Sequence, residues 1–307
     1  KVEENNVSIV IDESDGELTN FTEKEILNLD FFPQMVSNGD LNGDGFDDAI
    51  LFDRGPDRPG DFTFYAVLGA ANIDDISVQS LTYTGEGTSG TDRILYDDID
   101  NDGTTEIVRI SAIQGADNPG YITVHRIDEN GSLEQVSQEP ISKFSETSLE
   151  FGNGGNVGLA DMNNNSNKEL IILSFGQLLV FQQDQNPDPF YSEVNMLSRR
   201  IEARNDMAIL GDYNNDGFDD LLFESRENSG LFLPGNADLD LSRNIRALPV
   251  QGNERITLID TDVKLSKLNS AGDINGDGID DIVVGIDDGD PTTREYRAFH
   301  GNDSGDF

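Results

Sequence analysis

The chain has no cysteine, no tryptophan and only two histidines, and it carries 20 basic residues against 60 acidic ones in a length of 307. Without cysteine there are no disulfides to staple loops and no thiolate metal sites, while the redox compartment is left open. The two histidines, His125 and His300, are far apart in sequence and form no pair at metal spacing. Neither a Gly-x-Ser-x-Gly elbow nor a phosphate loop occurs, so no catalytic constellation is legible. The formal charge of −40 repels nucleic acid and anionic membrane surfaces, which argues against both as partners. No apolar run approaches the length of a membrane span, so we expect a soluble chain with no direct membrane insertion. The first residue is Lys1 and no signal-peptide pattern is present, which leads us to expect a processed mature chain or a piece of a larger one.

Acid at regular intervals is what the chain has in abundance. The stretch Gly39–Asp48, GDLNGDGFDD, puts four aspartates and an asparagine into ten residues. Related stretches begin at Asp97 (DDIDNDGTTEIVRI), Ala160 (ADMNNNSNKELIIL), Gly211 (GDYNNDGFDDLLF) and Gly272 (GDINGDGIDDIVV). Counted from the first ligand-type Asp, positions 1, 3, 5 and 9 carry oxygen side chains in every copy. They are Asp40, Asn42, Asp44 and Asp48 in the first loop, and Asp98, Asp100, Asp102 and Glu106 in the second. The third has Asp161, Asn163, Asn165 and Glu169, and the fourth Asp212, Asn214, Asp216 and Asp220. The fifth has Asp273, Asn275, Asp277 and Asp281.

Carboxylates this close repel one another unless a cation sits among them. Calcium takes six to eight oxygens, and alternate positions of a tight loop can turn theirs inward. The carbonyls of position 7 (Phe46, Thr104, Asn167, Phe218 and Ile279) would add a further donor. Position 6 is Gly45, Gly103, Gly217 or Gly278 in four copies, where a sharp turn needs positive φ. The third copy has Ser166 there and only two carboxylates, so we expect its site to be the weakest and the four-carboxylate second loop the tightest. The competing reading of the pattern is a set of bare solvated acidic turns.

An EF-hand is excluded on two counts. Its twelfth position should be a bidentate Glu, but Leu51, Arg109, Ile172, Phe223 and Val284 stand there. Its loop also leads into a helix, whereas these loops lead into the short β-branched runs AILF, IVRI, LIIL, LLF and IVVG, which read as buried strands. FTFYAVL and YITVHRI read as third strands of the first two units, and only TEKEIL hints at helical periodicity. Successive first aspartates are 58, 63, 51 and 61 residues apart, a period that suggests arrays or propellers. The predicted class is all-β, a β-propeller of four-stranded antiparallel blades.

GDLNGDGFDDAIL, GDYNNDGFDDLLF and GDINGDGIDDIVV resemble the FG-GAP/VCBS repeats of integrin α-subunit headpieces and many bacterial surface proteins. The other two copies match more loosely, and with its strands the repeat spans nearly the whole chain. The resemblance implies a single calcium-bearing propeller over residues 1–307, with the ion between the first two strands of each blade. It implies no single activity, since such blades occur in adhesins, lectin-like modules and appendages of enzymes. The family most often builds seven blades. Here five are expected, with Val7–Ile11 (VSIVI) completing the last blade beside REYRAFH, and a fragment of a larger ring is the rival reading.

Calcium suits an extracellular or cell-surface location, and we expect a non-catalytic adhesion or assembly module whose partner is a protein, a glycan or copies of itself. A carbohydrate-binding or polysaccharide-cleaving propeller and a structural subunit of a surface fibre are the alternatives. The lack of tryptophan counts against a lectin. His125 and His300 both fall on expected strands and read as structural. Asp30–Phe32 and Asp188–Tyr191 offer aromatic clusters for contact or for anchoring a turn, and Arg199 and Arg200 form a rare basic spot. The irregular stretches at 53–61, 182–193 and 234–244 are the candidate partner loops. Sequons at Asn6, Asn20, Asn130, Asn164 and Asn302 would accept glycans in a secreted chain, and a glycan on Asn164 would obstruct the third loop.

Overall fold

The structure, a computed structural model, describes residues 5–12, 21–29, 34–53, 62–83, 93–111, 120–128, 131–141, 155–174, 177–183, 191–200, 203–225, 230–237, 255–256, 264–287 and 295–302. Strands β1 (Asn5–Asp12) and β2 (Phe21–Leu29) form an antiparallel hairpin of their own. Five meander sheets follow in chain order. The first contains β3 (Gln34–Gly39), β4 (Asp48–Asp53), β5 (Phe62–Leu68) and β6 (Ser77–Tyr83). The second contains β7 (Arg93–Asp97), β8 (Glu106–Ile110), β9 (Tyr121–Ile127) and β10 (Leu133–Pro140). In the third are β11 (Gly155–Ala160), β12 (Glu169–Ser174), β13 (Gln177–Gln183) and β14 (Tyr191–Arg200). The fourth holds β15 (Ala203–Gly211), β16 (Asp220–Ser225), β17 (Gly230–Leu233) and β18 (Arg255–Ile256). The fifth has three described strands, β19 (Lys264–Gly272), β20 (Asp281–Asp287) and β21 (Glu295–Phe299). Helical structure among the described residues is limited to one 3₁₀ turn, Ile73–Asp75, and no helix there is long and apolar enough to cross a membrane.

The protein is therefore all-β and antiparallel, and every acidic loop joins the first strand of a meander to its second. Two expectations are corrected. Val7–Ile11 pairs with β2, not with β21, because the next strand in the chain is at hand as a local antiparallel partner, with Val7 opposite Leu27 and Ile9 opposite Lys24. TEKEIL lies inside that partner strand, where pairing overrides its helical propensity.

The chain divides into two compact units, residues 1–98 with 102–140, and residues 99–101 with 141–307. In the first, Leu41, Ile50, Phe52, Phe64, Ala66 and Leu68 of the first sheet region pack with Ile107, Ile127 and Leu133 of the second. In the second unit, Leu221 and Phe223 of β16 pack with Ile171, Leu173, Leu178 and Val180 of the third sheet. The intervening Leu222 points the other way, into a core with Leu268, Ile282 and Val284 of the fifth. A strand covered on both faces has no solvent side, which is why these segments read as unbroken apolar runs and not as alternation. The first strands of adjacent sheets lie side by side here, β11 against β15 and β15 against β19.

Most of residues 53–61, 182–193 and 234–244 lie outside the described residues, as do Asp30–Phe32, Asp188–Phe190 and the side chains of Arg199 and Arg200. Tyr191 is described and fully buried, and its hydroxyl donates to the Lys168 carbonyl at 2.9 Å. It anchors a loop and presents no contact surface.

Candidate metal centres

All five loops fold alike. The position-1 carboxylate accepts the N–H groups of positions 5 and 6: Asp44 (3.1 Å) and Gly45 (2.8 Å) on Asp40, and Asp102 (3.0 Å) and Gly103 (2.9 Å) on Asp98. Asn165 (3.0 Å) and Ser166 (2.9 Å) donate to Asp161, and Asp216 (2.8 Å) and Gly217 (2.9 Å) to Asp212. Asp277 (3.1 Å) and Gly278 (2.8 Å) donate to Asp273, whose carboxyl these backbone donors hold below the usual range. The position-5 side chains Asp44, Asp102, Asn165, Asp216 and Asp277 each accept the position-7 N–H at 2.8–3.1 Å. The third loop thus keeps these hydrogen bonds with only two carboxylates and with Ser166 in place of glycine.

The turn is made possible by two left-handed residues per loop. Position 6 has φ of +89° at Gly45, +92° at Gly103, +91° at Gly217, +89° at Gly278 and +71° at Ser166. Position 4 is left-handed too, with Gly43 (+72°), Asn101 (+59°), Asn164 (+53°), Asn215 (+56°) and Gly276 (+78°). Sequence reasoning missed position 4, although its occupants in all five copies are the two residue types that tolerate this region best.

Position 9 is the buried end of each loop: Asp48, Glu106, Glu169, Asp220 and Asp281 are at most 2% exposed. One oxygen of Asp48, Asp220 and Asp281 accepts a loop N–H, from Leu41 (2.7 Å), Asn214 (3.3 Å) and Ile274 (3.0 Å). The other accepts the N–H of a glycine just past the third strand, Gly69 (2.6 Å), Gly235 (3.0 Å) or Gly301 (2.9 Å). A Cβ built on Gly235 would lie 2.5 Å from the Asp219 carbonyl and 2.8 Å from that of Met162, so glycine is needed for this approach. These three glycines also escaped sequence reasoning, though a Gly follows the third strand wherever position 9 is Asp. Glu169 keeps the position-2 bond, accepting Met162 N–H (3.0 Å) as Asp48 and Asp281 accept Leu41 and Ile274, but its other oxygen accepts the Asn163 amide (2.7 Å) where the aspartates take a glycine.

Burial pushes the carboxyl of Glu169 up to about 8 and that of Asp220 up to about 7, and raises that of Asp48 as well. Burial also acts on Asp281, but there the Gly301 N–H, His300 and the Ile274 N–H outweigh it and hold the group low. His300 is exposed, with Nδ1 3.3 Å from Asp281 Oδ1 and 3.1 Å from the Asn275 amide nitrogen. His125 is fully buried on β9, Nδ1 3.3 Å from the Ile107 carbonyl and its ring 5.2 Å from that of Phe64. Burial lowers its pKa to about 4.

In the second loop Asp98, Asp100 and Glu106 each bring a carboxylate oxygen within 4.8 Å of the others. The donors offered by every loop are oxygens alone, with no thiolate or imidazole among positions 1, 3, 5, 7 and 9. That chemistry fits a hard divalent cation such as calcium and does not fit a soft or nitrogen-seeking one.

No family model matches this chain. No curated protein matches it either. Among solved structures, a similar one comes from work on the recognition of non-reducing terminal N-acetylglucosamine by an Agrocybe aegerita lectin. It is 12% identical, the match covers 93% of this chain and 87% of that one, and the TM-score is 0.32. A likeness at that level carries no argument about fold or ligand.

Proposed function

We propose that the chain is a calcium-stabilised β-propeller that works by contact, as an adhesion or assembly module at or outside the cell surface. The observation that carries this reading is the fivefold recurrence of one hydrogen-bonded turn, joining the first and second strands of five successive antiparallel meanders, with three acids brought within 4.8 Å of one another in the second. Each meander is a blade in this account, and the side-by-side first strands of the second unit support it. Asp40, Asp98, Asp161, Asp212 and Asp273, with positions 3, 5, 7 and 9 of their loops, would hold the ions. Bound calcium would supply positive charge to crowded carboxylates and pin the turn. Extracellular calcium, at millimolar levels, suits sites of this oxygen-rich type.

A non-catalytic role is supported by the histidines. His125 is sealed between sheets, and His300 is committed to the fifth loop through Asp281 and Asn275. Binding by a surface of charge −40 would favour cationic partners and weaken with salt. The test is to incubate the calcium-loaded protein with acidic polysaccharides and to measure its retention on immobilised cationic protein at rising salt. We expect no turnover and salt-sensitive retention. Polysaccharide cleavage that disappears in His300→Ala would replace this reading with the enzymatic one.

A further inference from the structure

Neighbouring loops of the second unit are tied together at two points per junction. At the junction of loops three and four, Asp219 N–H donates to the Asp161 carbonyl (3.1 Å) and Asp219 Oδ2 accepts the Asp161 N–H (2.8 Å). Beside it the Asn236 N–H donates to the Met162 carbonyl at 2.9 Å. The junction of loops four and five repeats the carboxylate and asparagine contacts. Asp280 Oδ2 accepts the Asp212 N–H at 3.2 Å, and Asn302 N–H donates to the Tyr213 carbonyl at 3.1 Å. Gly211, at φ +72°, leaves room for this clamp, because the Asp280 carboxylate fills the place a Cβ would take.

The clamping residues hold the same place in both loops. Asp219 and Asp280 are position 8, between the position-7 carbonyl and the position-9 acid. Asn236 and Asn302 each follow the glycine that is bonded to that acid. Their targets are the peptides of positions 1 and 2 in the preceding loop, which carry its first donor. Thr105 and Lys168, at position 8 of loops two and three, have no carboxylate to offer.

Resting on the calcium reading above, we propose that Asp219 and Asp280 are positioning residues that couple ion binding between adjacent loops, from four to three and from five to four. An ion in loop four draws in the residues on both sides of Asp219 and so fixes it. Asp219 then holds the Asp161 backbone with its side chain set for an ion in loop three. Loop three gains most, because it has only two carboxylates of its own and bears Ser166 at a left-handed position. Coupling of this kind is reciprocal, so an ion in loop three favours one in loop four by the same factor.

The test follows hydrogen exchange of residues 161–169 in the full chain, by mass spectrometry, as free calcium is raised. The free-calcium midpoint for protection is read in wild type, Asp216→Ala, Asp219→Ala and the double variant. Disabling loop four with Asp216→Ala should move the loop-three midpoint upward by at least about fivefold. In the Asp219→Ala background the same change should move it by less than about twofold. The second junction gives an independent arm if Asp219→Ala fails to fold: residues 212–220 are followed with Asp277→Ala and Asp280→Ala. A loop-three midpoint indifferent to Asp216→Ala, with calcium protecting each loop of the wild type, overturns the coupling and leaves the calcium reading standing. Absence of calcium-dependent protection in every loop overturns both.

Discussion

Ser166 is the residue at which the repeat departs most from itself. It stands where the other copies have glycine, yet the chain still takes φ +71° there, so an L side chain sits in the left-handed region. That conformation costs a non-glycine residue about 1–2 kcal/mol, partly offset in a glycine variant by the greater freedom of its unfolded chain. Ser166→Gly should therefore raise stability by about 0.5–1 kcal/mol, read as a higher denaturant midpoint at unchanged slope. No change, or a loss, would mean that the serine hydroxyl compensates for the backbone. Much of each loop at this scale was legible in the sequence, because donors at positions 1, 3, 5 and 9 and a glycine at 6 are side-chain identities. The second left-handed position was present in the sequence as an unbroken Gly/Asn choice, but asparagine has two readings, donor and turn former, and only the backbone separates them. The glycines at 69, 235 and 301 were harder, since their role comes from close approach of chain segments 15 to 21 residues away.

The element that carries each loop into the core is the second strand of its meander, and its first residue is a buried acid. The apolar runs announced these second strands, because segments covered on both faces need to be continuously hydrophobic. FTFYAVL and YITVHRI were legible as third strands by their β-branched and aromatic content, although Thr123 and His125 are buried in the latter. Pairing between strands was less legible: β1 satisfies the same alternation rule beside β2 as beside any other edge, and local register decides. The buried acids give a pH dependence of definite sign. Glu169 and Asp220 are pushed up to about 8 and about 7, so without metal the folded state binds protons that the unfolded state releases near pH 4. Their stabilising contribution is complete below pH 4 and is lost as pH rises to about 8. Asp273 and Asp281 are shifted the other way, and their contribution is lost only in acid, as pH falls below the ordinary carboxylate range. In chelator the melting temperature should fall between pH 5 and pH 8, and Asp220→Asn should flatten that fall. A melting temperature that rises over this interval would contradict the assignment.

At the scale of the whole molecule, 60 acidic residues against 20 basic ones would work against a compact state if nothing offset them where they crowd. Divalent ions at those points would supply the offset. Each occupied loop would bring two positive charges among its donors and fasten two core strands together. Binding to the folded state alone stabilises by mass action, about 2.7 kcal/mol per site at a hundredfold excess over Kd. The most direct test is thermal unfolding in millimolar calcium and again after chelation, with metal removal confirmed by elemental analysis. The melting temperature should be lower by more than about ten degrees in the chelated protein, the sum of several sites each worth a few degrees. Identical melting with and without calcium, in protein shown to be stripped of metal, would contradict the calcium reading.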